Sequence, residues 1–150
     1  HTYRLTYPAP GSPALAQRVR DLLGQAGIAS RADPQRGFDH GTFVPLSLMY
    51  PKADVPVVLL SLHSGYDPAE HLRAGRAIAA LRDEEVLILG SGLTYHNMRG
   101  FMHPASKETS RAFDDWLTET SALESSDPSS PPFALTVSST ISRTGPWSEV

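Results

Sequence analysis

The sequence predicts an α/β fold, a central sheet with helices on both faces, and three observations carry that expectation. Two short apolar runs, residues 56–62 and 86–89, have the composition of strands buried on both faces. Amphipathic patterns at helical spacing precede the first run and separate it from the second. Glycine and histidine follow each run, at the strand ends where open α/β sheets place their ligands.

In chain order, Thr2–Tyr7 alternates and is rich in β-formers, so a first strand is expected there. Pro8-Ala9-Pro10-Gly11 ends it, because proline cannot donate to a ladder and glycine supplies turn geometry. Ser12 then caps a helix with Pro13 in its first position. Leu15, Val19, Leu22, Leu23 and Ala26 form its apolar stripe, Gln17, Arg18, Arg20 and Asp21 its wet face, and Gly27 its stop. Ile28–Ala32 reads as a short strand. Phe43, Leu46 and Tyr50 share one face of a short helix expected to begin near Thr42.

Asp67-Pro68-Ala69-Glu70 has a cap, a first-turn proline and a reciprocal carboxylate in order. The helix it starts runs through Leu72, Gly75, Ile78 and Ala79 to Leu81–Arg82, and His71 in its first turn reads as a surface residue. Strand, helix and second strand make a βαβ unit with a right-handed crossover. Ser106–Thr120 is the last helix, with Ala112, Phe113, Trp116 and Leu117 as a core stripe and His103 exposed before it. From Ser121 the chain turns rich in Ser, Thr and Pro, the composition of a disordered Ser/Pro-rich tail with room for one short strand around Phe133–Val137.

Composition narrows the function classes. A chain of 150 residues suits a single domain that buries roughly two-thirds of its unfolded surface. A net charge of −3 and a pI near 6.0 give no electrostatic case for nucleic acid or an anionic membrane. No apolar run approaches the ~20 residues that span a bilayer. With no cysteine, a disulfide framework and thiolate metal sites are excluded, so a metal here must use His, Asp or Glu. Phosphate-binding glycine loops, a serine nucleophile elbow and an HExxH helix are all missing, which weakens a hydrolase reading. The chain begins with His1 and is expected to start at an internal boundary; the expected compartment is the cytoplasm.

Two stretches carry the chemistry. In residues 85–101, EVLILGSGLTYHNMRGF, His96 lies just beyond Gly90-Ser91-Gly92 and is followed by Asn97 and Arg99. Glycines let backbone and ligand approach closely, and imidazole serves as metal ligand or proton carrier near neutral pH. The competing reading is a loop histidine bonded to nearby backbone. In residues 36–50, RGFDHGTFVPLSLMY, Asp39-His40 precedes the expected helix start. Asp39 either orients His40 or caps the helix in an Asx-type turn. His63, after the first apolar run, reads as a solvated loop residue.

Taken together, Gly37–Leu46 with Met49-Tyr50-Pro51, and Gly90–Arg99, resemble the class III extradiol ring-cleavage dioxygenases. The resemblance is to the catalytic B-type chains of that class, in the single-chain group that includes the 4,5-DOPA extradiol dioxygenases. Tyr7–Pro13 and Ala80–Glu84 match the family's signatures as well, so the resemblance covers about residues 1–120 in order. It implies a partial extradiol dioxygenase-like α/β domain over 1–120 and a divergent, irregular tail over 121–150.

The resemblance also implies chemistry. Members hold a non-haem Fe(II), in some cases reported as Zn(II), and insert both atoms of O₂ beside the hydroxyls of a catechol. Imidazole and carboxylate ligands leave iron positions open for catecholate and O₂. His96 matches the loop histidine that acts as acid and base, and as a metal ligand in the DOPA-type enzymes. His40 matches the histidine that lines the pocket and hydrogen-bonds substrate or oxygen. Asp39 is expected to orient His40, and Asn97 to support the His96 loop beside the substrate.

The family's upstream histidine segments and its histidine motif near the carboxyl end have no counterpart in residues 1–150; no histidine follows His103. Most metal ligands are therefore expected outside this chain, the sheet to be incomplete relative to the family, and the chain alone to be inactive. Two function classes follow: a catechol-opening dioxygenase represented by part of its length, and a non-catalytic relative that binds an aromatic ligand or a partner. No nucleic acid or membrane partner is expected, and oligomerisation is left open.

Overall fold

Helix and strand alternate along the first ninety residues because local sequence dictates it. The computed structural model describes residues 6–92, 97, 99–122, 133–138 and 148–149. It divides into two compact units, one of His1–Ser91 with Ser130–Val150 and one of Gly92–Ser129.

In the first unit, helix α1 spans Pro13–Gln25. Ser12 is extended, its hydroxyl accepts from the Leu15 N–H, and Pro13 occupies the first turn, as its sequence dictates. Gly27 takes φ +70°, the left-handed turn that stops the helix. Strand β1 is only Arg31–Ala32. Helix α2 spans His40–Met49, starting two residues earlier than expected, directly after its cap Asp39. Strand β2 is Val57–Ser61, helix α3 is Pro68–Ile78, and a 3₁₀ turn over Ala79–Glu84 leads to strand β3, Val86–Ser91. The turn closes on Glu85 at φ 60°, a left-handed position held here by a residue with a side chain.

Strands β4, Phe133–Ser138, and β5, Ser148–Glu149, complete the described elements of this unit, β4 being the short strand for which the tail had room. The five strands pair in the order β1-β5-β2-β4-β3. β2 and β3 both run parallel to β4, with Leu59 and Leu89 opposite Thr136. The strand expected at Thr2–Tyr7 lies mostly outside the described residues; just beyond it, the Pro10 carbonyl accepts from the Val57 N–H at 2.9 Å and Gly11 bridges to Val57.

Alternate residues of β2 enter two apolar clusters, the result of the two-residue period of a strand. Val58 and Leu60 pack with Leu23 of α1, Ile78 of α3 and Val86 of β3. Val57 packs with Leu46 of α2, against Phe38, Tyr50 and Leu89. Tyr7 ties this second cluster by donating its hydroxyl to the Tyr50 carbonyl at 2.9 Å.

In the second unit, helix α4 spans Ser106–Ala122. Phe113 and Trp116 stack at 5.5 Å between ring centroids, yet both are exposed. The expected core stripe is corrected in this respect: a unit this short has too little apolar surface of its own to cover the helix face.

Candidate active site

Asp39 and His40 sit at the amino end of α2. The Asp39 carboxylate accepts from the Thr42 N–H at 3.2 Å and faces the Arg36 guanidinium at 3.5 Å. Asp39 thus performs the capping role that its sequence left open, and holds a cation while doing so. His40 is the first helical residue and is exposed. Pro45 further along has no N–H, so the Gly41 carbonyl lacks its usual helical donor.

At the carboxyl end of β2 the chain is knitted by two histidines. The His63 N–H donates to His71 Nε2 at 3.2 Å, and the Gly65 N–H donates to His63 Nδ1 at 3.3 Å. His71 Nδ1 meets the Asp67 carbonyl at 2.7 Å. Asp67 also caps α3 through its carboxylate, which accepts from the Ala69 N–H at 2.8 Å. A Cβ on Gly65 would come within 3.3 Å of His63 Nδ1, so the small residue permits the close loop. Both histidines are half-buried. The structure thus adds specific partners to the surface reading of His71 and the loop reading of His63. Residue spacing carried no signal for them, because the partners are backbone groups placed by a turn.

His96 lies outside the described residues, so its expected roles as proton carrier and metal ligand rest on sequence. Asn97 belongs to the second unit. Its side-chain oxygen accepts from the Arg99 and Gly100 N–H groups at 3.1 and 3.3 Å, shaping the turn that follows His96. Ser106 Oγ donates to the Gly100 carbonyl at 2.9 Å, and a Cβ on Gly100 would collide with that hydroxyl. His103 is exposed and its Nδ1 accepts from the Ala105 N–H at 3.2 Å. Asp39 and His40 are therefore brought together in one unit, and Asn97 is placed in the other.

A cavity of about 400 Å³ opens beside α1 and the 33–38 loop, lined among others by Ala16, Arg20, Pro34, Phe38 and Val57. Val57 begins β2 and Ser61 ends it. At ~3.3 Å per residue those ends are roughly 13 Å apart, which separates this cavity from the His63 loop. Neither Asp39 nor His40 lines it. Among the described residues no three His, Asp or Glu side chains gather to hold a metal ion. The described donors do not fit a metal centre by themselves. Among the described residues no helix is long and apolar enough to cross a membrane.

The family model described as the catalytic LigB subunit of aromatic ring-opening dioxygenase matches residues 1–124. The chain is 49% identical over 119 residues to a 4,5-DOPA dioxygenase extradiol of Beta vulgaris, covering 77% of this chain and 44% of that one. It is 50% identical over 98 residues to the 4,5-DOPA dioxygenase extradiol of Escherichia coli (strain K12), covering 65% and 35%. With the dioxygenase tasH of Hapsidospora irregularis it shares 45% identity over 112 residues, covering 73% and 35%. The chain thus spans less than half the length of these curated relatives. No solved structure matches.

Proposed function

The chain belongs to the family of catalytic LigB subunits of aromatic ring-opening dioxygenases, and from that premise we propose that it is part of an extradiol dioxygenase opening a catechol-type ring with O₂. The observation that carries this reading is the family match over residues 1–124, which spans both histidine stretches. The relatives' names as 4,5-DOPA dioxygenases support a catechol as substrate class.

The proposed roles follow the residue chemistry. His96 moves a proton between catechol and oxygen and supplies one ligand to an Fe(II) or Zn(II), whose remaining ligands come from outside residues 1–150. His40, exposed at the amino end of α2, hydrogen-bonds substrate or oxygen. Asp39 fixes the backbone that carries His40, through its bond to Thr42. Asn97 holds the turn after His96 through the N–H groups of Arg99 and Gly100. We read residues 1–120 as the family's portion and 121–150 as a divergent tail. The two apolar clusters on β2 support a central sheet with helices on both faces, incomplete relative to the family. The reading extends to a cytoplasmic location.

Turnover of a catechol panel tests the proposal, with Fe(II) and O₂ supplied and ring-opened product followed by its yellow absorbance. The 150-residue chain yields no product, whereas the complete protein does. In the complete protein, His96→Ala lowers turnover by about 10²–10⁴-fold, the usual range for acid–base assistance. His40→Ala slows turnover or weakens substrate binding while iron content stays near normal, and His103→Ala changes little. A complete protein that binds catechols without opening them would establish the alternative, a non-catalytic aromatic-ligand module. Wild-type turnover in His96→Ala would overturn the role given to that histidine.

A further inference from the structure

The loop between β2 and α3 is held by an imidazole whose two nitrogens have opposite tasks. The Asp67 carbonyl can only accept, so His71 Nδ1, 2.7 Å away, must carry a proton. The His63 N–H can only donate, so His71 Nε2, 3.2 Å away, must carry none. Together the two contacts select one neutral tautomer. His63 has the complementary arrangement: its Nδ1 accepts from the Gly65 N–H at 3.3 Å, which leaves the ring proton of the neutral form on Nε2.

The surrounding contacts join the strand end to the helix start. The Asp67 carbonyl receives the His71 backbone N–H at 3.2 Å as well as its ring. The His63 carbonyl accepts from the Tyr66 N–H at 3.1 Å, and Tyr66 takes φ 51° to close the turn. His63 is two residues past Ser61, so its N–H lies just beyond the ladder of β2. His71 Nε2 supplies that N–H with an acceptor in a half-buried position.

We infer that His71 is a positioning residue: as the Nδ1-protonated tautomer it clamps the carboxyl end of β2 to the first turn of α3, and so fixes His63 at that strand end, the kind of edge at which open α/β sheets place ligands. A ligand at this edge rests on the ring-opening reading; the clamp does not, and its tests use no turnover. The clamp differs from an ordinary surface contact because it selects one ring nitrogen for each partner. Leucine of similar bulk cannot replace it. Glutamine can largely replace it as the acceptor, because its side-chain oxygen reaches a position comparable to Nε2.

The test uses the full 150-residue chain, labelled with ¹⁵N, near pH 7.5. Long-range ¹H–¹⁵N spectra are expected to show His71 protonated at Nδ1 and bare at Nε2. Amide exchange is expected to show His63 protected in the wild type, with protection about tenfold lower in His71→Ala and His71→Leu and largely regained in His71→Gln. Leu60 in the strand should keep its protection throughout. A proton on Nε2 of His71 overturns the inference, as does a His63 amide equally protected in His71→Leu. Should a variant fail to fold, the wild-type tautomer decides alone.

Discussion

Arg18 and Glu84 form a two-pronged ion pair between α1 and the 3₁₀ turn before β3. Arg18 Nε lies 3.1 Å from both Glu84 carboxylate oxygens, and an Arg18 terminal nitrogen lies 2.6 Å from one of them. Sixty-six residues separate the partners, so the pair holds the start of the chain against the turn that feeds β3. The hydrogen bond from Arg18 holds the Glu84 carboxyl below its ordinary range, with partial desolvation opposing it.

A carboxylate whose folded pKa is depressed stabilises the fold above its unfolded pKa. That contribution disappears as pH falls through the lowered folded value. Glu84→Gln should therefore lower Tm slightly at neutral pH, and the gap from wild type should close in acid. Both groups are exposed, so the gap should be small and should shrink in high salt. Thermal melts across pH at two ionic strengths measure this; a gap that persists in acid would contradict the pairing.

Tyr7 offers the opposite sign. Burial, then the negative charges of Asp54 and an ionised Tyr50, push its phenol above the usual range. Its contribution is present below the ordinary phenol pKa and is lost as pH rises through the raised value. Tyr7→Phe removes the bond to the Tyr50 carbonyl and should cost about 1 kcal/mol. Denaturant unfolding measures that loss, and alkaline absorbance titration of wild type and variant should assign the late-ionising phenol to Tyr7.

Asp39 separates capping from charge. Asp39→Ala should lower stability by about 0.5–2 kcal/mol, the usual cost of a lost cap. Asp39→Asn retains an oxygen for the Thr42 N–H while losing the charge that faces Arg36, so it should keep most of that stability. Equal losses in the two variants, read by chemical denaturation, would show that the ion pair matters more than the cap.

Two leucines should behave in opposite ways. Leu23 is 0% exposed in the first cluster, and Leu23→Ala should cost about 2–5 kcal/mol through the cavity it leaves. Leu48 on α2 is 82% exposed beside Val44 and Met49, also exposed. Leu48→Lys should leave Tm nearly unchanged and reduce self-association measured by light scattering. Unchanged scattering would remove Leu48 from any account of aggregation.

What the sequence made legible was local. The Ser12 cap, Pro13 and the Leu15–Leu23 stripe specify α1 within a few residues of one another. β2 and β3 were both visible as apolar runs; burial on both faces removes alternation in β2, whereas in β3 Val86 alone is fully buried and Leu87–Leu89 are half-buried. The helix start was expected near Thr42 and lies two residues earlier, at His40, directly after the Asp39 cap. β4 between β2 and β3 could not be read locally, since strand order depends on pairings far apart in the chain. His71 escaped because helix-face patterns describe side chains, whereas its partners are a carbonyl one turn back and an N–H eight residues away. For the site, the Asp39 cap was legible as an alternative and the His63–His71 clamp was not.

The alternation within β2 has a consequence for the gene. Val57 belongs to one cluster while Val58 and Leu60 belong to the other, with every residue from Val57 to Ser61 buried. Changing one codon there perturbs one side chain and its neighbours. Losing one codon in frame reverses the direction of each side chain beyond the lesion, so residues shaped for α1 and α3 would be sent towards α2. This stretch should accept conservative apolar replacements and reject single-residue insertions and deletions, whatever residue is gained or lost.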